Sequence, residues 1–270
     1  MKILSAVAVI ILFVFGATAQ TTNDLSDAEI QGRNLARQLC DSQPAENFTN
    51  KGMLEIRSKG ITTNFPIDFQ AIISKTNWQY VYSVSFAHGF DSKSNFFSGG
   101  ESITVIHSIL EPNQYIYQQW ANIQFYTRGR PGVVIGPHGS NNLLGDQTFI
   151  WFGQSDFWIC DLGLEFFHWP EQKILKRENS RGRVCKVLES TNSNPSPDGY
   201  SRVDSWIDEE TLGIVQAYAY DAQGKKLKEF YPKDFKKVDG QWQVGMMEMD
   251  NVQTGSRSRI EFDLKSEGQK

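Results

Sequence analysis

The sequence predicts a mainly β protein with few helices, in which antiparallel strands form a meandering sheet or barrel. Residues 201–264 carry turn signals at short, regular intervals, among them Asp221-Ala-Gln-Gly224 and Asp239-Gly240. Such turns contain residues that tolerate positive φ, which tight hairpins between twisted strands require. Upstream, apolar residues alternate over residues 61–73 and 78–86, and a clear helical period occurs only near the start of the chain.

Residues 1–19 have the pattern of a cleaved signal peptide. A lysine at the second position is followed by an apolar run over residues 3–15, and Ala17-Thr-Ala19 is a small-x-small cleavage site before Gln20. The alternative is an uncleaved N-terminal anchor, although the run is shorter than the about 20 residues of a membrane helix. We therefore predict cleavage between Ala19 and Gln20, and a single β-barrel domain over residues 20–270.

The charge balance argues against a nucleic-acid partner. The chain has 27 Lys and Arg against 31 Asp and Glu, which gives a formal net charge of −4 at pH 7. Loss of Lys2 with the signal peptide makes the remaining chain slightly more acidic. Binding to phosphates requires a basic excess, which this composition lacks.

Export would place the three cysteines in an oxidising compartment, where disulfides persist. An odd count permits one bridge and one free thiol. We predict a bridge between Cys160 and Cys185, because both fall in the central β region, whereas Cys40 falls at the end of a predicted helix. Two separate buried thiols are the alternative.

One helix is predicted at the start of the mature chain. Ser26 and Glu29 have the spacing of a capping box, in which each side chain bonds the other residue's backbone N–H. Ala28, Leu35, Ala36 and Leu39 then form an apolar stripe. The helix is expected to end near Asp41.

The cleanest period-two patterns in the chain predict two neighbouring strands. Alternation over residues 61–73 and over residues 78–86 puts apolar side chains on one face and polar side chains on the other. Strands this long suit a curved sheet or barrel. The candidates for the wall of a ligand cavity are Phe65, Ile67, Phe69, Trp78, Tyr80, Tyr82 and Phe86, with ordinary packed core as the alternative.

Two further segments differ from the strands. Residues 128–145 contain five glycines and two prolines, which predicts a mobile loop. Residues 149–169 are the most aromatic stretch, which either plugs a barrel or lines an apolar cavity. Within it, Phe157 and Trp158 are candidates for a cover over the cavity, and ordinary core is again the alternative.

The sequence gives no positive sign of catalysis or metal binding. The four histidines, His88, His107, His138 and His168, have no ligand spacing, and there is no Cys-x-x-Cys. A Gly-x-Ser-x-Gly nucleophile elbow is also missing. We therefore predict no catalytic residues, no metal and no cofactor.

Several segments resemble a known family in their order along the chain. They are the helix followed by Pro44-Ala-Glu-Asn-Phe48, Asp161-Leu-Gly-Leu, Gly182-Arg-Val-Cys-Lys-Val-Leu-Glu189, Tyr200-Ser-Arg-Val-Asp-Ser-Trp-Ile-Asp208, Ala219-Tyr-Asp-Ala-Gln-Gly-Lys225, Lys236-Lys-Val-Asp-Gly-Gln-Trp242 and Met247-Glu-Met-Asp-Asn-Val-Gln-Thr-Gly-Ser256. The ordered set, over residues 26–264, is similar to the outer-membrane lipoprotein-sorting proteins of the LolA-like superfamily.

That resemblance implies a half-open antiparallel β-barrel with an N-terminal helix and a helix or loop cover. It also implies a non-catalytic periplasmic carrier that holds acyl chains of a lipoprotein or lipid cargo in an apolar cavity. Inner- and outer-membrane transfer partners and a monomeric state would follow. The family's lid arginine has no assigned counterpart here.

Two other functions remain open from the sequence. Similar folds act as regulatory sensors that bind a lipoprotein and a signalling partner. An exported hydrolase is the other alternative, and it would require an acid, a base and a nucleophile from distant strands to meet in the cavity.

Overall fold

The computed structural model describes residues 25–89, 96–109, 111–127, 130–135, 139–238 and 241–264. The predicted signal peptide and its cleavage site at Ala19 and Gln20 lie outside the described residues. The helices are α1 (Asp27–Cys40), α2 (Ile159–Leu162) and two short 3-10 helices, Gly145–Thr148 and Glu165–His168. The strands are β1 (Phe48–Ser58), β2 (Ile61–Ile73), β3 (Asn77–Gly89), β4 (Phe96–Ser108), β5 (Gln114–Thr127), β6 (Arg130–Ile135), β7 (Gly139–Leu143), β8 (Glu171–Ser180), β9 (Arg183–Thr191), β10 (Tyr200–Asp208), β11 (Ile214–Asp221), β12 (Lys226–Val238), β13 (Gln241–Asn251) and β14 (Ser256–Phe262).

Helix α1 begins at the predicted capping box. The backbone N–H of Ser26 donates to Oε2 of Glu29 at 2.7 Å, and the Glu29 N–H donates to the Ser26 hydroxyl at 3.4 Å. The helix packs on β8 through Gly32, where a Cβ atom would lie 2.5 Å from the backbone nitrogen of Lys173. No helix in the described part of the chain has the length and apolar character that a membrane crossing requires.

The strands of the described residues form one antiparallel sheet. Its order is β6-β5-β4-β3-β2-β1-β14-β13-β12-β11-β10-β9-β8, and β7 also pairs with β5. Strands β6 and β8 are the two edges, and they do not pair with each other within the described residues. The predicted class, mainly β, antiparallel and not closed, is therefore confirmed.

The two alternating strands of the prediction are β2 and β3. Phe69 of β2 pairs with Tyr82 of β3, and their rings stack at 4.5 Å. Phe65 and Ile67 are buried, whereas Ile61 at the hairpin end is 68% exposed. The alternation therefore selects the core face correctly, except at the β1–β2 hairpin end, where Ile61 pairs with Ser58 but stays exposed.

The glycine-rich segment is not the loop that we predicted. Strand β6 pairs with the end of β5, and β7 pairs with its beginning, from Tyr115 to Gln119. Pairing with β5 satisfies backbone groups of this segment, although its composition is typical of turns. Residues 128–129 and 136–138 lie outside the described residues.

The aromatic segment, residues 149–169, fills the space inside the curled sheet and is here named the plug. Phe152, Phe157 and Ile159 pack with a cluster from β1 to β5, and their side chains are buried. Trp158 and Phe166 pack with a second cluster from α1 and β9 to β11. The plug therefore joins the two halves of the sheet through two neighbouring cores.

The predicted disulfide between Cys160 and Cys185 is not formed, and all three cysteines are free. Cys160 lies in the plug, on the same side of β9 as Leu188. Cys185 lies on β9 and packs with Trp206 in a separate cluster. Because successive side chains of a strand point to opposite faces, Cys185 points away from the plug and cannot reach Cys160.

Candidate functional site

A cavity of about 350 Å³ lies between the plug, the end of α1 and strands β3, β4 and β10 to β13. Aliphatic side chains form much of its wall, including Leu162, Val203, Ile214, Ala217, Ala219 and Met249. Aromatic side chains form most of the rest, including Trp78, Tyr80, Tyr82, Phe157, Phe166 and Phe230. Mostly apolar, concave sites of this kind are typical of small-molecule binding.

Four of the nine predicted cavity residues line this cavity: Trp78, Tyr80, Tyr82 and Phe157. Three of them lie on β3, and Phe157 lies in the plug. Contact of these residues with a ligand stays a prediction.

The other five predicted residues pack in the protein core. Phe65 contacts Phe86 edge to face at 4.9 Å, Ile67 is buried, and Phe69 is enclosed by Tyr82 and neighbouring rings. Trp158 stacks on Tyr200 at 4.6 Å, on the other face of the plug. The structure therefore does not place these five residues on the cavity wall.

Sequence reasoning missed the part of the wall that comes from β11, β12 and β13. Ala217 and Ala219 alternate on β11, as do Lys228 and Phe230 on β12. The signal was weak, because small residues and a lysine interrupt the apolar pattern on these strands. Met247 and Met249 of β13 also line the cavity.

An ion pair lies against this wall. Nζ of Lys228 is 3.3 Å from Oδ2 of Asp161, and the Lys228 side chain is only 1% exposed. Nζ also lies 3.6 Å from the centre of the Trp158 ring, a cation–π contact. Burial lowers the pKa of Lys228, and attraction to Asp161 opposes that change. The cavity therefore contains a charge that is already paired.

Histidine does not supply a second charge. His107 lines the cavity and stacks on Trp78 with ring centres 5.4 Å apart. Burial lowers its pKa to about 4, with a further contribution from His168. Since this value lies well below neutral pH, the imidazole is uncharged there.

The cavity offers poor conditions for a thiol nucleophile. Burial raises the pKa of Cys40, which lines the cavity, to about 12. The thiolate is the reactive form, and it is strongly disfavoured at neutral pH. Among the residues that the structure describes, no three His, Cys, Asp or Glu side chains gather in a way that could hold a metal ion.

Carboxylates fix the plug to the sheet at both ends. Glu101 of β4 accepts a hydrogen bond from the backbone N–H of Gly153, and Asp156 accepts one from the Ser258 hydroxyl of β14 at 2.8 Å. Asp161 binds Lys228 of β12, as described above. Buried hydrogen bonds to charged groups are costly to break.

Glu165 is the fourth carboxylate that holds the plug to the sheet. The hydroxyl of Tyr115 donates to its Oε2 at 2.8 Å, and Nδ2 of Asn113 lies 3.4 Å from the same oxygen. Burial raises the pKa of Glu165 to about 7, and the two hydrogen bonds oppose this rise. Together, the four carboxylates hold the plug in place, so Phe157 and Trp158 belong to a packed insert.

The cavity reaches the surface where some of its lining residues are exposed. Ser42, Leu212 and Phe235 line it and are exposed, and they define what we name the mouth. Trp78 and Phe157, which also line the cavity, are each 1% exposed. The mouth therefore lies between the end of α1, the β10–β11 turn and β12.

Solved structures with this arrangement of strands include three of bacterial proteins. A putative outer membrane lipoprotein-sorting protein domain from Vibrio parahaemolyticus has a TM-score of 0.60 at 17% identity, covering 90% of this chain and 95% of that chain. A DUF1329 family protein from Desulfovibrio piger has a TM-score of 0.56 at 20% identity, covering 91% and 96%. A LolA superfamily protein from Nitrosomonas europaea has a TM-score of 0.50 at 13% identity, also covering 91% and 96%.

These similarities establish the fold, which is LolA-like. A family model described only as an uncharacterized protein matches residues 148–266. No curated protein matches the sequence. At this level of identity the neighbours define the architecture alone.

Proposed function

We propose that this protein is a non-catalytic carrier that shields acyl chains in the cavity. The observation that carries the proposal is the cavity wall, in which aliphatic and aromatic side chains surround a lysine already paired with Asp161. Such a wall favours apolar ligands, because an ionised group placed there would meet no free counter-charge.

The driving force would be transfer of apolar surface out of water. Each buried CH₂ group contributes about 0.8 kcal/mol, so a few methylenes give reversible binding and a long chain gives tight binding. No covalent step is involved. The imidazole of His107, which a pKa of about 4 makes a weak base, and the protonated thiol of Cys40 fit this role better than that of a hydrolase.

The setting of the carrier is part of the same proposal. The signal-peptide pattern of residues 1–19 and the LolA-like fold support a periplasmic location. The cargo would be a lipoprotein or a lipid, taken from an inner-membrane partner and given to an outer-membrane partner by a monomeric protein. A regulatory sensor would use the same cavity to detect such a ligand.

The first test is extraction of the purified, exported protein for mass spectrometry. A carrier is expected to retain lipid or a lipidated protein. The second test uses dansyl-undecanoic acid as a fluorescent acyl probe. Binding of the probe to the delipidated protein, with a blue-shifted emission, is the expected result.

A variant that fills the cavity separates binding in the cavity from binding elsewhere. Ala217→Leu adds apolar atoms on the β11 wall and displaces methylenes of the ligand, so affinity should fall at least about tenfold. Ile61→Ala, which changes an exposed residue outside the cavity lining, is the matched control. Equal affinity in the two variants, or no binding to the unmodified protein, would overturn the proposal.

A further inference from the structure

The face of strand β12 that lines the cavity changes partway along the strand. Lys228, Phe230 and Pro232 line the cavity as alternate residues, as expected for one face of a strand. The next residue in that series is Asp234, but Phe235 lines the cavity instead. The strand therefore departs from period two between Pro232 and Phe235.

The neighbouring strand departs from period two at the same level. Met249 and Met247 line the cavity as alternate residues, and Gly245 would be next. Val244 lines the cavity in its place. Phe235 pairs with Val244 across the two strands, so two opposing residues are turned inward together.

Backbone geometry explains the change. Asp234 has φ of 51°, in the left-handed region that non-glycine residues rarely adopt. Opposite it, a Cβ atom on Gly245 would lie 2.3 Å from the carbonyl oxygen of Asp234. Glycine at this position permits the close approach, and the pairs on either side, Lys233 with Met246 and Phe235 with Val244, keep their register.

The irregularity at Asp234 and Gly245, here named the kink, lies at the mouth. It makes the mouth more apolar. Phe235 is 50% exposed although it lines the cavity, and Val244 is half-buried beside it. Without the kink, strand alternation would direct both side chains to the outer face. Local irregularities that re-aim a side chain are common beside functional sites.

The mouth is the route into the cavity, because the plug is held too firmly to move aside. Its residues Phe157 and Ile159 are buried, and hydrogen bonds to Asp156 and Glu165 tie it to β14 and β5. Moving the plug would break these contacts together. Displacing Phe235 and Val244 requires only side-chain rotation, since Phe235 already faces solvent.

We propose that Phe235 and Val244, named the lip, form the gate that an acyl chain passes and that sets which chains enter the cavity. This inference rests on the proposed function, because it takes the acyl chain as the ligand. The lip controls passage, whereas the deeper wall at Ala217 and Met249 controls affinity.

The test is stopped-flow kinetics with dansyl-undecanoic acid on the full mature protein. Phe235→Ala is expected to raise the association and dissociation rates together by about tenfold, while Kd changes by less than about threefold. Val244→Ala should act in the same direction with a smaller effect. Ile61→Ala should leave both rates unchanged, and thermal unfolding of each variant confirms that it is folded.

The possible results separate the two proposals. Probe binding with Phe235→Ala rates equal to those of Ile61→Ala would overturn the lip and leave the carrier standing. A large change in Kd with an unchanged association rate would also overturn it, because that pattern describes a wall contact. Failure of the unmodified protein to bind the probe would overturn both.

Discussion

Replacement of Glu165 by glutamine should change how stability depends on pH. This carboxyl is buried between the plug and β5, where it accepts hydrogen bonds from Tyr115 and lies beside Asn113. Burial raises its pKa from 4.5 to about 7. The folded protein therefore holds the Glu165 proton more tightly than the unfolded chain does.

Proton linkage gives the sign and size of the effect of Glu165 on the free energy of unfolding. Below pH 4.5 the group is protonated in both states, and its contribution to stability is fully present. As the pH rises from 4.5 to about 7, the unfolded chain releases the proton first, so the folded state loses stability. A rise of about 2.5 pKa units corresponds to about 3 kcal/mol by pH 8.

Glutamine cannot ionise, yet its carbonyl can still accept the Tyr115 hydrogen bond. The free energy of unfolding of Glu165→Gln relative to the unmodified protein should therefore increase by about 3 kcal/mol between pH 4.5 and pH 8. Denaturant unfolding at a series of pH values measures this difference. Taking the difference removes the titration of other groups.

Glu261→Gln is the control, because Glu261 is exposed on β14. It should show no comparable trend with pH. If the two variants differ from the unmodified protein by constant amounts across the range, Glu165 does not titrate as its burial indicates, and the reasoning from desolvation is refuted.

Two further variants test the packing of the plug and of α1. Lys228→Ala removes the cation from a pair in which neither side chain is more than 9% exposed, and it should lower the free energy of unfolding by about 3 to 5 kcal/mol. The double variant Lys228→Met with Asp161→Asn should recover part of that loss in the same denaturant assay, and a cost below about 1 kcal/mol for the single change would contradict the pairing. Gly32→Ala places a Cβ atom 2.5 Å from the backbone of Lys173, so it should reduce the melting temperature, whereas alanine at the exposed α1 residue Gln31 should not. Equal melting temperatures would show that α1 can move away from β8 at no cost.

Local patterns in the sequence were sufficient for α1, β2 and β3. The capping box at Ser26 and the period-two alternation depend on residues close in the chain, so they can be read without tertiary structure. The same alternation gave the buried face of β2. It did not reveal which residues meet the cavity: Tyr82 of β3 lines it, whereas Phe65 and Phe69 of β2 do not.

The remaining features depend on contacts between distant residues. Strand β7 forms because β5 offers an edge, which outweighs the turn-like composition of its own residues. The cysteine prediction was wrong because Cys160 lies in α2 of the plug, whereas Cys185 packs on the other face of β9. Phe235 was missed because its orientation depends on Asp234 and Gly245 meeting across two strands.

The pairing of β1 with β14 has a consequence for the order of folding. Gly52 pairs with Phe262, whereas most other neighbours in the sheet are consecutive hairpins. The strands on either side of this junction can form from local contacts, but the junction closes a loop of nearly the whole chain, which is slow to form. Until the last strand arrives, the edge of β1 is open to pairing with other chains. During folding, protection against aggregation at this edge therefore depends on β14.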